Sequence, residues 1–264
     1  MGALVLAEGD KFKPPGAESF DLPPLFGSGD WGFTKPMLLI VLSVIIVAAY
    51  FLLSSRKLSI VPGKGQFIAE SIYDFGRNNI AREQIGAKDF KPFIPLVLGL
   101  FTFILVNNIF GIIPVIQFPS MSHFGFPIAL SVLVVYPVYH YVGIKRHGLG
   151  GYFKKSLAPP GVPVFVLPLF ALIEFAEKFF LNPLTLAIRV FAAMFAGHLI
   201  IGVFAMGGSY LLTEASAGLK PVSIVAFLAA ILMTFLEAFI QVLQAYIFAT
   251  LAAGYIGAAL ASDH

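Results

Sequence analysis

The stretch from residue 222 to residue 261 constrains the fold more than any other part of this sequence, because its forty positions contain one formally charged side chain, Glu237. The tract formed by residues 164–212 is nearly as apolar. About 18–20 consecutive apolar residues are enough for a helix to cross a bilayer. Charged residues make up 12% of the chain and its mean hydropathy is +0.90, whereas a soluble domain carries about 25% charged residues. The sequence therefore predicts an all-α integral membrane protein.

Three shorter apolar segments precede the two long tracts. They predict transmembrane helices over residues 37–53, 93–117 and 127–144, which brings the number of predicted spans to five. Residues 1–36 mix proline, glycine and acidic side chains, which is typical of an irregular lead-in.

The polar segment 54–91 contains the run FIAESIYDFGRNNI, in which apolar residues recur near helical spacing among charged ones. This pattern is typical of an amphipathic helix that lies on the membrane surface. A polar loop with scattered apolar residues is the alternative that the same sequence allows.

Lysine and arginine are concentrated in two connecting segments and thereby predict the orientation of the chain. Residues 54–91 contain seven of these side chains and residues 145–155 contain four, whereas residues 118–126 contain none. Short cytoplasmic loops carry the excess of lysine and arginine, so we expect the segment 54–91 and the loop 145–163 on the cytoplasmic side. Five spans then place the N-terminus outside and the C-terminus in the cytoplasm.

The two long tracts exceed the length of an upright span. A helix rises about 1.5 Å per residue, so about forty residues reach about 60 Å, while the hydrocarbon core is about 30 Å thick. Residues 222–261 contain no cluster of turn residues that would split them into two spans. We therefore expect residues 164–212 and 222–261 to form a strongly tilted hairpin. Ordinary tilts average about 20°, so this hairpin would lie against a large curved partner.

Arg189 stands alone in the first long tract, because no other formally charged side chain occurs between Lys178 and Glu214. An ionisable group at bilayer depth costs at least about 2.5 kcal/mol and marks a candidate functional site. Arginine stays protonated at neutral pH, so it cannot carry protons. Its fixed charge repels cations and holds a neighbouring carboxylate in the ionised form. These properties predict a gate, and a structurally paired arginine is the alternative.

Small and polar residues share the helical face of Arg189. They are Asn182, Thr185, Ala192, Ala193 and Ala196. Small side chains let another helix approach closely, although alanines at this spacing also fit ordinary core packing. His198 follows nine residues after the arginine and, at about 100° per residue, points to the opposite side of the helix.

Glu237, Gln241 and Gln244 form one stripe on the last tract, at i, i+4 and i+7. Such a stripe is costly in lipid, so we expect it to line water or a polar partner. His198 and Glu237 titrate closer to neutral pH than arginine does, particularly when burial shifts their pKa values. They are therefore candidates for a proton path, and a hydrogen-bonded packing role is the alternative for the histidine.

Polar residues elsewhere in the apolar segments extend this set of candidates. Asn107 lies deep in the second predicted span. Glu174 and Lys178 are spaced i, i+4 and can pair with each other, whereas Glu177 has no such partner in the sequence. These acids could hydrate a path towards the cytoplasm, or they could form an interfacial charge cluster.

Composition and motifs disfavour other classes of protein. The chain has no cysteine and no HExxH or GxSxG motif, so it lacks the signatures of an intramembrane hydrolase, and we expect neither a metal nor a cofactor. The net charge of +3 is small and distributed over loops, which argues against a nucleic-acid partner. An ion channel or secondary transporter with an intramembrane arginine site is the alternative; it would predict broken, repeated helices.

The run NPLTLAIRVFAAMFAGHLI around Arg189 resembles the arginine-bearing helix of subunit a of F-type ATP synthases. The run LEAFIQVLQAYIFATL resembles the last helix of the same family, and FTFILVNNIFGIIP and GLGGYFKK are weaker matches. The resemblance covers roughly residues 58–260.

The resemblance implies a non-catalytic, proton-translocating stator subunit in a bacterial cytoplasmic membrane. Its partners would be the lipid bilayer, a ring of small c subunits that each bear one carboxylate, and the peripheral-stalk subunit b. Arg189 would face the ring between two offset proton half-channels, and Gln244 would be the glutamine near it. Proton flow through the half-channels would drive rotation of the ring and ATP synthesis.

Two positions depart from the common pattern of the family. Many bacterial members have a glutamate at the position of His198 and a histidine at the position of Glu237. An exchange that keeps one acid and one base fits two groups that interact in the outer half-channel. Ala193 stands where the family usually has asparagine, so a role of that asparagine in hydrating the channel does not carry over to this chain.

Overall fold

The computed structural model of the chain describes residues 12–27, 32–56, 58–113, 116–157, 165–216 and 218–261. Within these ranges the regular structure is helical, apart from one isolated bridge between Phe26 and Phe33. Five helices are long and apolar enough to cross a membrane. The predicted all-α class with five candidate spans is therefore confirmed.

Six main helices, numbered in chain order, build this part of the molecule. Their bounds are Lys35–Ser54 for α1, Lys64–Asp74 for α2, Lys91–Ile109 for α3, Gly125–Leu157 for α4, Leu167–Thr213 for α5 and Val222–Leu260 for α6. The helix α2 continues without a break through the π-helical turns Phe75–Arg82 as far as Ile85. Further π-helical turns occur at Leu130–Val135 in α4 and Glu177–Leu181 in α5.

Helix ends differ from the predicted ones in α3 and α4. The span predicted for residues 93–117 is helical only as far as Ile109, where the N–H of Gly111 donates to the carbonyl of Asn108 at 2.9 Å and tightens the last turn. The segment 145–163, predicted as a loop, is helical as far as Leu157. Its chain bends at Gly148, whose φ of 72° is accessible to glycine at little cost. Two helical segments therefore meet at this glycine, and the second one continues in a new direction as far as Leu157.

Parts of the predicted segments lie outside the described residues. They are residues 1–11 and 28–31 of the lead-in, residue 57, residues 114–115, residues 158–164 at the start of the first long tract, residue 217 and residues 262–264. The described part of the lead-in contains one 3-10 turn, Ala17–Phe20, whose last residue is buried.

The segment predicted as an amphipathic helix is α2 with its π-helical continuation. Phe67 and Ile68 leave 61% and 52% of their surface exposed, whereas Ile80 and Ala81 are completely buried, in a part of the helix that packs on α3 and α6. Gly257 of α6 lies so close to the backbone carbonyl of Gln84 that a Cβ would not fit. The first half thus presents apolar side chains outwards, and the second half belongs to the core.

The helices α5 and α6 pack along each other as an antiparallel hairpin. Gly197 lies against Glu237, and Gly208 lies against Phe227 further along the hairpin. The other helices contact mainly the C-terminal half of α6, where small buried residues let backbones approach closely. These residues are Ala245, Ala249, Ala252 and Ala253.

Candidate functional site

Arg189 lies on an exposed face of α5. Thr185, Ala192 and Ala196 are exposed on the same face, and Asn182 and Ala193 are half-buried beside it. The opposite face is buried against the rest of the bundle through Leu186, Ala187, Val190 and Met194. Within the described residues Arg189 has no hydrogen bond and no ion pair. A permanent positive charge is therefore presented, unpaired, on a surface made of small side chains.

His198 and Glu237 meet on the other side of α5. The Nδ1 atom of His198 lies 3.5 Å from Oε1 of Glu237, and its Nε2 atom lies 3.2 Å from the carbonyl of Gln117. The side chain of Glu237 is only 3% exposed, whereas that of His198 is 24% exposed. At 3.5 Å the contact is long for a hydrogen bond. The two side chains are thus neighbours, and a small rearrangement would bring them within ordinary hydrogen-bond distance.

Gly197 makes the approach of Glu237 possible. A Cβ at position 197 would lie 3.1 Å from Cδ of Glu237 and 3.3 Å from its Oε1 atom. The absence of a side chain at this position lets a carboxyl group on α6 reach α5. Sequence reasoning missed this residue, although its position next to His198 is a signal once the two helices are known to touch.

The stripe of Glu237, Gln241 and Gln244 is buried rather than exposed to lipid, because its members are 3%, 0% and 5% exposed. The Nε2 atom of Gln241 donates to Oε1 of Glu237 at 3.1 Å. The amide of Asn108 donates to the backbone carbonyl of Gln241 at 3.1 Å. These bonds join α3 to α6 at the level of the acid.

Asn107 contacts α1 and not the glutamine stripe, although it was predicted to lie on the proton path. Its amide nitrogen donates to Oγ of Ser43 on α1 at 2.7 Å and to the carbonyl of Phe103 at 2.9 Å. The neighbouring Asn108 is the asparagine that reaches the glutamine stripe. The sequence analysis named Asn107 rather than Asn108, and the sequence alone does not fix which of the two faces α6, because consecutive residues on a helix point in directions about 100° apart.

Buried polar atoms without a hydrogen-bond partner are concentrated along one route. Of the nine such side-chain atoms in the described residues, eight belong to Asn107, Asn108, Ser120, His123, His198, Glu237, Gln241 and Gln244. An unsatisfied buried group costs about 1–3 kcal/mol, and native proteins satisfy such groups mostly with internal water. These atoms are therefore free to bond internal water between the loop after α3 and Glu237.

Gly111 marks the point at which three parts of this route meet. A Cβ there would lie 3.1 Å from the carbonyl of Asn108, 3.1 Å from Cβ of Pro119 and 3.3 Å from Nε2 of Gln241. The loop that carries Ser120 and His123 and the glutamine stripe thus both approach this glycine. Neither Gly111 nor this loop was identified from the sequence.

A second polar group surrounds the start of α5, on the side of the basic connecting segments. Lys178 pairs with Glu174 at 2.7 Å and also donates to the carbonyl of Ser156 at 2.9 Å. Glu177 and Arg189 both act electrostatically on the hydroxyl group of Tyr255. Glu174 is therefore held by a lysine, whereas Glu177 shares a neighbour with the arginine. Within the described residues no cluster of three or more His, Asp or Glu side chains is arranged to bind a metal.

These features define a polytopic membrane protein that holds a fixed positive charge beside a buried polar path. The family described as ATP synthase A chain matches residues 37–257. An ATP synthase subunit a from a Nocardioides species is 44% identical over 268 residues, which cover 98% of this chain and 96% of that protein. Proteins of the same name from Pseudarthrobacter chlorophenolicus and an Arthrobacter species are 45% and 46% identical, and each alignment covers 99% of this chain and 98% of the relative.

The chain therefore belongs to the ATP synthase A chain family. Its broad role follows from membership: it is a membrane protein that functions in ATP synthesis and ion transport as a component of the Fo sector, assembled with other ATP synthase subunits.

Proposed function

We propose that the chain is the proton-translocating stator of the Fo sector and that it forms two proton half-channels against a ring of c subunits, with Arg189 between them. The observation that carries this proposal is the position of Arg189. Its charge is unpaired, exposed and flanked by Ala192 and Ala196, while the buried polar path runs on the opposite side of the same helix. A carboxylate on a passing helix can approach such a face closely.

The arginine would act on that carboxylate as a fixed electrostatic element. A neighbouring guanidinium favours the ionised carboxylate, so a protonated ring carboxyl releases its proton as it approaches. Moving one charge through 100 mV is worth about 2.3 kcal/mol. If a continuous water path joined both sides of the membrane, this energy would be lost as leak. Arg189 prevents the leak because it repels cations and does not itself titrate at neutral pH.

His198 and Glu237 would form the inner end of the outer half-channel. Glu237 is buried among polar side chains, while His198 retains partial exposure. A proton that reaches the pair can be passed to a ring carboxylate, after which the pair returns to its starting state. Gln241 and Gln244 would hydrate and orient this transfer, because Gln241 already donates to the carboxyl of Glu237.

The inner half-channel would begin near Glu177 and Tyr255. Tyr255 lies in the electrostatic neighbourhood of both Glu177 and Arg189. Asn182 is half-buried one to two turns before the arginine and would line the same route. Glu174 would contribute through its bond to Lys178, as an element that holds the start of α5.

The length of the hairpin supports a strong tilt beside the ring. The apolar helical runs of α5 and α6 contain 47 and 39 residues, which correspond to about 70 Å and about 58 Å at 1.5 Å per residue. We propose that both helices lie strongly inclined in a bacterial cytoplasmic membrane, with the N-terminus outside and the C-terminus in the cytoplasm. The peripheral-stalk subunit b is the further partner that the resemblance implies.

Disulfide cross-linking within the assembled complex tests the proposed ring contact. The chain has no cysteine of its own, so Ala192→Cys and Ala196→Cys can each be combined with a cysteine placed beside the ring carboxylate. We expect both variants to cross-link to a c subunit. The exposed Val44 on α1 provides a matched control, and Val44→Cys should not react with the ring. Efficient cross-linking of the control, with no reaction at residues 192 and 196, would contradict the proposal.

A further inference from the structure

The described lead-in before α1 forms a strap, residues 12–27, that lies along the outer half of α5. The ring of Phe12 packs 5.6 Å from that of Tyr210, and a Cβ at Gly202 would lie 3.1 Å from Cγ of Pro15. Phe20 is buried, with its ring 4.9 Å from that of Phe195. The strap is therefore part of the packed structure at the end of the molecule where the polar route begins.

His123 lies beneath this strap, in the loop between α3 and α4. Its Nε2 atom is buried and has no hydrogen-bond partner within the described residues. The exposed carboxylate of Asp21 on the strap acts on it electrostatically. A cavity of about 430 Å³ lies between His123 and the start of α1. Its lining includes Asp21, Thr34, Met37, His123 and Phe126. A titratable imidazole, an acid and a cavity are thus combined at the surface.

The loop of His123 contacts His198 directly and approaches Gln241, the hydrogen-bond partner of Glu237. The carbonyl of Gln117 faces Nε2 of His198 at 3.2 Å. Pro119 and Gln241 both lie against Gly111, and Gln241 donates to Glu237. Ser120 is completely buried and its Oγ atom has no partner in the described part of the chain. Buried polar groups are therefore present between His123 and Glu237, on this loop at Ser120 and on α6 at Gln241.

Aromatic rings exclude a direct transfer between the two histidines. Phe118 lies 5.6 Å from the ring of His123, and Phe20 lies 6.1 Å from the ring of His198. The two phenylalanines pack on each other at 6.4 Å between ring centroids. A proton would have to pass around them by way of the polar groups at Ser120 and Gln241.

We propose that His123, assisted by Asp21, is the outermost proton-exchanging residue of the route to Glu237. This inference rests on the proposed function and names a further residue of it. The imidazole would take up a proton from water beside Asp21 and release it from its buried side to the route, so that no net charge remains on it after each transfer. Asp21 would raise the local concentration of protons at the mouth, as clefts lined by one sign of charge do for counter-ions.

The electrostatic surroundings of His123 fit rapid exchange. Burial lowers the pKa of His123 below its ordinary value, and the carboxylate of Asp21 and the backbone of Phe20 raise it in smaller measure. The nearest charged group on α1 is Lys35, whose ammonium donates to the carbonyl of Ile116 at 2.7 Å and lies 5.7 Å from the centre of the Phe118 ring. The neutral imidazole therefore predominates at neutral pH and can accept a proton.

ATP synthesis by the whole complex in proteoliposomes tests this inference. When the ATP-forming part of the complex points outwards, His123 faces the lumen of the proteoliposome. The lumen pH is set between about 6 and about 8, which spans the range of histidine titration. The external pH and a potassium diffusion potential are kept constant. The variants are His123→Phe, which keeps a ring for the contact with Phe118, and Asp21→Asn. The matched control is Glu18→Gln, because Glu18 is an exposed acid on the same strap.

We expect His123→Phe and Asp21→Asn to match the unaltered protein at about pH 6 and to fall behind it by roughly threefold or more at about pH 8, where protons are scarce at the mouth. Glu18→Gln should follow the unaltered protein at both values. If His123→Phe and Asp21→Asn synthesise ATP as fast as the unaltered protein at both lumen pH values while Arg189→Ala is inactive, the role of His123 is contradicted and the proposed function stands. Normal synthesis with Arg189→Ala would contradict both. Quantification of the assembled subunit in each preparation separates slow transfer from poor assembly.

Discussion

The Nδ1 atom of His198 and the Oε1 atom of Glu237 lie 3.5 Å apart across the interface between α5 and α6. The sequence separates these residues by 39 positions, and only the antiparallel hairpin brings them together. An imidazole and a carboxyl group at this distance are direct neighbours, so a substitution of one changes the surroundings of the other.

The pair should therefore respond to mutation as a unit. Removal of one member leaves the other as a buried ionisable group without its partner, whereas the exchange His198→Glu with Glu237→His keeps one acid and one base. We expect the exchanged protein to pump protons faster than at least one of the single variants, as measured by ATP-driven quenching of a pH-sensitive dye in membrane vesicles. Loss of pumping that equals the sum of the two single losses would show that the residues are not coupled.

A methyl group at position 197 should disturb the pair without removing either titratable group. In Gly197→Ala the new Cβ would lie 3.1 Å from Cδ of Glu237, so the carboxyl must move. We expect proton-driven ATP synthesis to fall several-fold while assembly is retained. Gly207→Ala on the same helix is the matched control, because its Cβ would lie 3.7 Å from Phe12, an ordinary contact distance. Equal rates of ATP synthesis in the two variants would show that the close approach at Gly197 is not needed for function.

The pKa of His123 should depend on the strap. Burial lowers this pKa and Asp21 raises it in smaller measure, so Asp21→Asn removes a favourable interaction of the protonated imidazole. The pKa should consequently fall further below the ordinary value of about 6.5, and the neutral form should persist to lower pH. Solid-state NMR of histidine-labelled protein can follow this titration, with His123→Phe used to assign the resonance. A pKa that rises or stays constant in Asp21→Asn would show that the carboxylate does not act on the ring.

The proposed topology makes a prediction about sidedness. Ser55 follows α1 and Ser216 lies in the turn between α5 and α6, and both are exposed. Because α3, α4 and α5 lie between them, single cysteines at these positions should face opposite sides of the membrane. An impermeant thiol reagent added from outside should label Ser216→Cys in intact cells and should label Ser55→Cys only after the membrane is opened. Labelling of both from the same side would mean an even number of crossings between them.

Periodicity and length predicted a large part of this architecture. The five candidate spans, the open face of Arg189 and the opposite direction of His198 follow from a single helical repeat, so one sequence suffices to find them. The sequence also predicted that the stripe of Glu237 does not face lipid, because polar groups are energetically unfavourable there.

The contacts between elements could not be predicted in the same way. The importance of Gly111 and Gly197 depends on which side chain of another helix lies opposite, and the choice of Asn108 over Asn107 depends on a rotation of less than a third of a turn. Residues 145–157 are rich in glycine and lysine, which is why the sequence indicates a loop there. They are helical instead, with a bend at Gly148. These features are set by packing, on which local sequence carries little information.

The central claim is that Arg189 separates two aqueous paths, and the variant Arg189→Ala tests it most directly. The assembled complex should lose proton-driven ATP synthesis, because no fixed charge would force the ring carboxylate to release its proton. Arg189→Lys should restore little of the ATP synthesis that Arg189→Ala loses, because the ammonium group lacks the planar guanidinium fork. The decisive measurement combines ATP synthesis with passive proton conductance in the same proteoliposomes. We expect Arg189→Ala to abolish ATP synthesis while proton conductance is retained or increased; synthesis at the unaltered rate in this variant would show that Arg189 does not separate the two paths.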